Sequence, residues 1–160
     1  MTLAPAVEVM SVTGKIQSDQ LGVCLPHEHL LNDVRSWWQP SQISGVDPDT
    51  YRDAIVSAEI LWELRNDPFG NLDNCQMQDI EVAESELRYF RDLGGVSIVE
   101  TTSISIGRDL TRLRELSIAT GLNVIAGTGF YLDSSQPPEI KASSEEDLID
   151  LMLADLTHGT

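Results

Sequence analysis

A chain of 160 residues is long enough to enclose one hydrophobic core. With 41% hydrophobic and 22% charged residues, its composition is that of a folded segment rather than a disordered one. The charge is one-sided: 26 Asp and Glu stand against 10 Lys and Arg, and the formal net charge of -16 repels phosphate backbones and anionic lipid, which argues against nucleic-acid and membrane partners.

Along the chain, Met1 to Met10 has no basic region and no long apolar stretch, so no secretory signal is expected. No apolar run approaches the ~20 residues that cross a bilayer. The two cysteines, Cys24 and Cys75, lack the spacing of a zinc knuckle or a redox pair and read as reduced thiols of a cytoplasmic protein.

Val7 to Ile16, broken at Gly14, predicts a short N-terminal hairpin or a capping strand. Leu21 to Leu25 predicts a buried strand ended by Pro26, which cannot donate to a ladder. A polar and aromatic loop with Trp37, Trp38, Pro40 and Gly45 follows. Asp47-Pro48 starts a helix whose buried face is Ile55, Ala58, Leu61 and Trp62, and residues 66–71 break it.

A second helix runs from about Asp79 to Leu93 on an apolar face of Ile80, Ala83, Leu87 and Phe90, with Gly94-Gly95 as its left-handed stop. Val96 to Val99 is a strand ending at Glu100-Thr101-Thr102. A third helix begins near Asp109, carries Leu110, Leu113 and Leu116, and closes at Gly121; Asn123 to Thr128 is the next strand. After Pro137-Pro138, a last helix over about Ser144 to Thr157 is capped by Ser144 and places Leu148, Ile149, Met152 and Leu156 inside.

Short apolar strands alternating with helices signify an α/β fold with a parallel sheet. Composition and periodicity leave a doubly wound sheet and a (β/α)8 barrel both open, and a full barrel needs roughly 250 residues.

Chemistry concentrates in Leu25-Pro26-His27-Glu28-His29-Leu30. In extended chain, residues i and i+2 share a side, so His27 and His29 aim at one place while Glu28 points away. Two neutral imidazoles make a partial site for zinc or a related divalent metal. A His-x-His pair in a loop is more often solvated than metal-bound. Here the pair directly follows a strand, at the end where α/β active sites gather, and holds two of the chain's three histidines. No phosphate-binding glycine loop and no nucleophile elbow competes with it.

The run Gly22 to Leu31 closely resembles the first strand of phosphotriesterase-related proteins, a family of the amidohydrolase superfamily. Gly94 to Thr102 is similar to the family's second strand, Ile106-Gly107-Arg108-Asp109 to its following turn, and Ala119 to Tyr131 to its third strand. The resemblance covers nearly the whole chain, in order.

It implies the N-terminal portion of a (β/α)8 TIM barrel with a short N-terminal β-hairpin. It also implies a site for two divalent metals, commonly zinc, bridged by a hydroxide and a carbamylated lysine, with His27 and His29 as ligands of the more buried metal. The implied reaction is hydrolysis of a small-molecule ester, lactone or phosphoester by the metal-activated hydroxide. The family's other ligands are a lysine on strand four, histidines on strands five and six and an aspartate on strand eight.

These have no counterpart here. The expectation is a single incomplete hydrolase domain over residues 1–160, truncated at Thr160 before strand four. Lys15 and Lys141 lie on no matching strand, and His158 suits the surface end of the last helix.

Tyr131 matches a tyrosine that lines the substrate pocket in lactonase-like relatives; packing on the barrel rim is the equal alternative. For Trp37 and Trp38, core or rim packing is preferred to a pocket wall. Glu100 would accept a hydrogen bond from a ligand histidine, or only stabilise the barrel interior. Arg108 and Asp109 are given structural roles. Two readings follow: part of a metal-dependent hydrolase, or a non-catalytic half-barrel lacking most metal ligands and inactive alone. Its open sheet edge would invite a homo-oligomer.

Overall fold

A computed structural model of the chain describes residues 5–159. Met1 to Ala4, part of the stretch read for a signal, and Thr160, the expected truncation point, lie outside the described residues.

The N-terminal hairpin is present as β1 (Glu8–Ser11) and β2 (Gly14–Gln17), antiparallel with Ser11 opposite Gly14. The next strand, β3 (Val23–Glu28), lies at one edge of a three-stranded parallel sheet. β6 (Gly95–Glu100) is its centre and β7 (Asn123–Ala126) its other edge. The short strands β4 (Asn32–Asp33) and β5 (Gln76–Met77) pair within the long loop that follows β3. The hairpin docks on β7 through Val12 N–H to the Val124 carbonyl at 2.9 Å.

α3 (Ile80–Asp92) and α4 (Leu110–Thr120) cover the sheet. Each begins at an Asp whose carboxylate accepts the orphan N–H groups of the first turn: Asp79 from Glu81 and Val82, Asp109 from Arg112. The predicted faces are where the core lies. Leu31, Ala83, Leu87, Ile98, Leu116 and Leu122 form one buried cluster, with Ile80 and Phe90 packed against it. The two glycines after α3 divide the work. Gly94, at φ +95, makes the left-handed stop, whereas Gly95 starts the strand where a Cβ would sit 2.4 Å from the Phe90 ring.

Three expectations are corrected. Pro26 does not end its strand. β3 continues through it to Glu28, because Leu25 pairs with Ile98 and Glu28 with Glu100, three residue steps against two. The extra residue is a bulge, and a bulge accommodates a proline that cannot donate.

The helix from Asp47 is not continuous and its proposed buried face is exposed. α1 (Pro48–Asp53) is capped by Asp47 as read, but α2 (Leu61–Asn66) is a separate piece, and Ile55 and Trp62 are 74% and 61% exposed. A distant residue stops α1. The fully buried Asn71 side chain donates to the carbonyls of Tyr51 and Ala54, both at 2.7 Å, groups that a longer helix would have used itself.

The last helix, α6 (Glu145–His158), has the expected Ser144 cap but no buried residue; a short α5 (Pro138–Ala142) precedes it. Ile149, Leu153 and Leu156 are 44%, 51% and 65% exposed on α6. Val82, Tyr89 and Leu93 are likewise exposed on α3. α3 and α6 thus carry uncovered apolar side chains. Among the described residues no helix is long and apolar enough to cross a membrane.

Candidate metal centre

His27 lies in the bulge near the C-terminal end of β3, and His29 one residue beyond the strand. Their rings face one another edge-on, with centroids 6.0 Å apart and planes at 82°. The two imidazoles thus lie close to one another near the C-terminal end of β3.

His29 is held from behind. Its Nδ1 is 2.8 Å from the Thr102 hydroxyl, which also contacts Glu100 Oε1 and lies 3.1 Å from the Leu31 carbonyl. Among the described residues neither ring nitrogen of His27 has a hydrogen-bond partner. Glu100 is fully buried at the end of β6, and backbone N–H groups of Leu30 and Thr102 donate to its two oxygens at 3.4 and 3.2 Å. Burial pushes the Glu100 carboxyl above its ordinary range, opposed by the Thr102 and backbone hydrogen bonds and by nearby His29.

Glu100 thus reaches His29 through Thr102. Thr102 is the residue that sequence reasoning missed. The available signal was its i+2 relation to Glu100 at a strand end, which puts both side chains on one side.

Tyr131 is 57% exposed. Its ring stacks on Trp37 at 5.6 Å and 27°, and Trp37 meets Phe69 edge-on at 5.6 Å. Among the described residues Tyr131 makes no ring contact with either histidine. Trp38 packs in the rim of the long loop, donating to the Gly70 carbonyl at 3.1 Å.

Arg108 is 9% exposed and ties the elements after β6 and β7 together. It donates to the Gly127 carbonyl at 3.0 Å and to Asp155 of α6 at 2.8 Å. Lys15 and Lys141 pair with Glu8 and Asp133 on the surface, and His158 is exposed at the end of α6.

Neutral imidazoles are of the donor type that divalent metals such as zinc take. Among the described residues, no group of three or more His, Cys, Asp or Glu side chains is placed to hold an ion.

The sequence matches the profile of the Phosphotriesterase family over residues 7–160. It is 35% identical over 152 residues to a phosphotriesterase-related protein of Nematostella vectensis, covering 93% of this chain and 43% of that one. It is 33% identical over 153 residues to an N-acetyltaurine hydrolase of Rattus norvegicus, covering 95% and 43%. Among solved structures it is similar to a resiniferatoxin-binding protein from Rhodobacter sphaeroides, with TM-score 0.84 and 42% identity over 96% of this chain and 43% of that one. An organophosphorus hydrolase from Deinococcus radiodurans, at TM-score 0.62 and 23% identity, shares the fold. The chain spans less than half the length of each of these proteins.

Proposed function

We infer the activity from one premise: the chain belongs to the phosphotriesterase family, matching its profile over residues 7–160. The reading is a single domain that forms the N-terminal part of a metal-dependent hydrolase, acting on a small-molecule ester, lactone or phosphoester. The observation that carries it is the pairing of His27 and His29 at the end of β3, with ring centroids 6.0 Å apart. The C-terminal end of a parallel strand is where barrel enzymes assemble their chemistry.

In this reading His27 and His29 hold a divalent metal, zinc by the preference of paired imidazoles. When bound, such an ion supplies Lewis acidity toward the scissile bond and a nucleophile from water at neutral pH. The chain's own residues prepare the place. His27 sits in the bulge, Thr102 holds His29 from behind, and buried Glu100 lies behind Thr102. Tyr131, stacked on Trp37, offers an aromatic wall to the apolar part of a substrate. The N-acetyltaurine hydrolase relative supports adding a small N-acyl amide to the substrates tested.

The test is zinc content by elemental analysis, with turnover of an aryl ester, a lactone, a phosphotriester and N-acetyltaurine. Bound zinc is expected in the chain and lost in the His27→Ala, His29→Ala double variant. Stoichiometric zinc in that double variant sinks the assigned site.

A second reading, a non-catalytic half-barrel, is favoured by the ligand count, since two imidazoles leave half of a tetrahedral zinc's coordination unfilled and no third ligand joins them among the described residues. Zinc bound without turnover of any of the four substrates supports it, and turnover that requires both histidines excludes it.

A further inference from the structure

We propose that Thr102 is a positioning residue that fixes the tautomer of His29, placing the proton on Nδ1 and leaving the Nε2 lone pair for a metal; this rests on His29 being a ligand. Thr102 is fully buried just beyond β6, so water does not compete for its hydroxyl. Three groups surround that hydroxyl: His29 Nδ1 at 2.8 Å, a carboxylate oxygen of Glu100, and the Leu31 carbonyl at 3.1 Å.

A hydroxyl has one proton to give and lone pairs to receive with. Glu100 and the Leu31 carbonyl are both acceptors. Glu100 already receives N–H groups on each oxygen, from Leu30 and Thr102. Once the hydroxyl proton goes to either acceptor, the oxygen can only accept from His29. The Nδ1 proton is then committed, and Nε2 is the nitrogen free to bind.

The arrangement also makes the two histidines unequal. Among the described residues His27 has no such partner, so His29 is preset and His27 adjusts. A threonine suits the task better than a freely turning hydroxyl, because its branched Cβ restricts χ1. Loss of the partner behind a ligand histidine typically weakens metal affinity 10–100-fold.

The test compares the wild-type chain with Thr102→Val, which removes the hydroxyl and keeps the shape, and Thr102→Ser, which keeps the hydroxyl. Long-range 15N–1H correlation spectra of the metal-free chain, at a pH where imidazole is neutral, identify the protonated ring nitrogen of His29. The expected result is Nδ1–H in wild type and Thr102→Ser, with a mixed or inverted population in Thr102→Val. Zinc affinity, from competition with a chromophoric chelator, should fall about 10–100-fold in Thr102→Val and recover in Thr102→Ser.

An Nε2–H tautomer in the wild-type chain overturns the proposal without any variant having to fold. So does a folded Thr102→Val chain with unchanged zinc affinity, provided His29→Ala lowers that affinity. If His29→Ala leaves zinc binding intact, the metal assignment fails, and the spectra still decide the tautomer separately.

Discussion

Removing the Asp155 carboxylate should detach α6 without unfolding the sheet. α6 has no buried residue, so apolar packing holds it weakly. Its main polar anchor is Asp155, which accepts from Arg108 at 2.8 Å and from Thr128 at 2.6 Å, with side-chain exposures of 9% for Arg108 and 10% for Asp155. Breaking a buried ion pair by deleting one partner ordinarily costs about 3–5 kcal/mol, because the other charge stays dry.

That cost has an upper limit here. Arg108 keeps the Gly127 carbonyl at 3.0 Å, and water can reach it once α6 swings away. The penalty in Asp155→Ala is therefore limited to the docking free energy of α6, about 1–3 kcal/mol, the worth of a few charge-assisted hydrogen bonds. Hydrogen exchange resolved by segment measures this. Amides from Leu148 to Leu156 should exchange about 5–150-fold faster in the variant, while β6 and α4 keep their protection. Equal acceleration in β6 and α4 would refute the reasoning, since the pair would then belong to the global core.

Leu116→Ala, at a fully buried position, should cost about 2–5 kcal/mol in urea unfolding, while Leu156→Ala at 65% exposure should change little. Gly95→Ala should be strongly destabilising in the same assay, because its Cβ would lie 2.4 Å from the Phe90 ring; a near-neutral result would mean that α3 shifts freely. Hydrogen bonds from the Thr50 and Asp49 backbone hold the Asp47 carboxyl below its usual range. The folded pKa is thus lower than the unfolded one. The cap's contribution is present above about pH 3.9 and disappears as pH falls through the folded value. Asp47→Asn should remove that acid sensitivity from the exchange of the α1 amides.

What could be read from the sequence was local. The caps at Asp47 and Ser144 act on N–H groups two or three residues away, and both make the hydrogen bonds expected of them; Asp79 and Asp109, read as helix starts, cap α3 and α4 in the same way. The stop at Gly94 is equally local. Long-range contacts decided the rest. α1 ends because Asn71, 20 residues beyond Tyr51, takes its carbonyl. The Val56 N–H goes to the Asp73 carboxylate at 2.9 Å instead of to a helical carbonyl, so periodicity through Ile55, Ala58 and Leu61 described no real face. Pro26 passes through its strand because the neighbouring strand pairs past it. At the site, the two histidines were legible from their spacing, whereas Thr102 became visible only when β6 lay beside β3 and put its hydroxyl against a ring 73 residues earlier.

The uncovered apolar faces and the net charge set opposing tendencies, and their balance is measurable. Ile149, Leu153 and Leu156 on α6, and Val82, Tyr89 and Leu93 on α3, favour association. The charge of -16 on every copy opposes it. Apolar attraction acts at contact, but the repulsion acts over a Debye length, about 30 Å at 0.01 M salt and 3 Å at 1 M. The 160-residue chain should therefore be predominantly monomeric in dilute buffer and should associate as sodium chloride rises toward 1 M. Sedimentation velocity across that range follows the change. Leu153→Glu with Leu93→Glu, both at exposed sites, should keep the chain monomeric throughout. A wild-type chain that stays monomeric and unfolds cooperatively at high salt would mean that these faces are too dispersed to act as a surface. Association in which dilute salt favours the oligomer would place its origin in ion pairs instead.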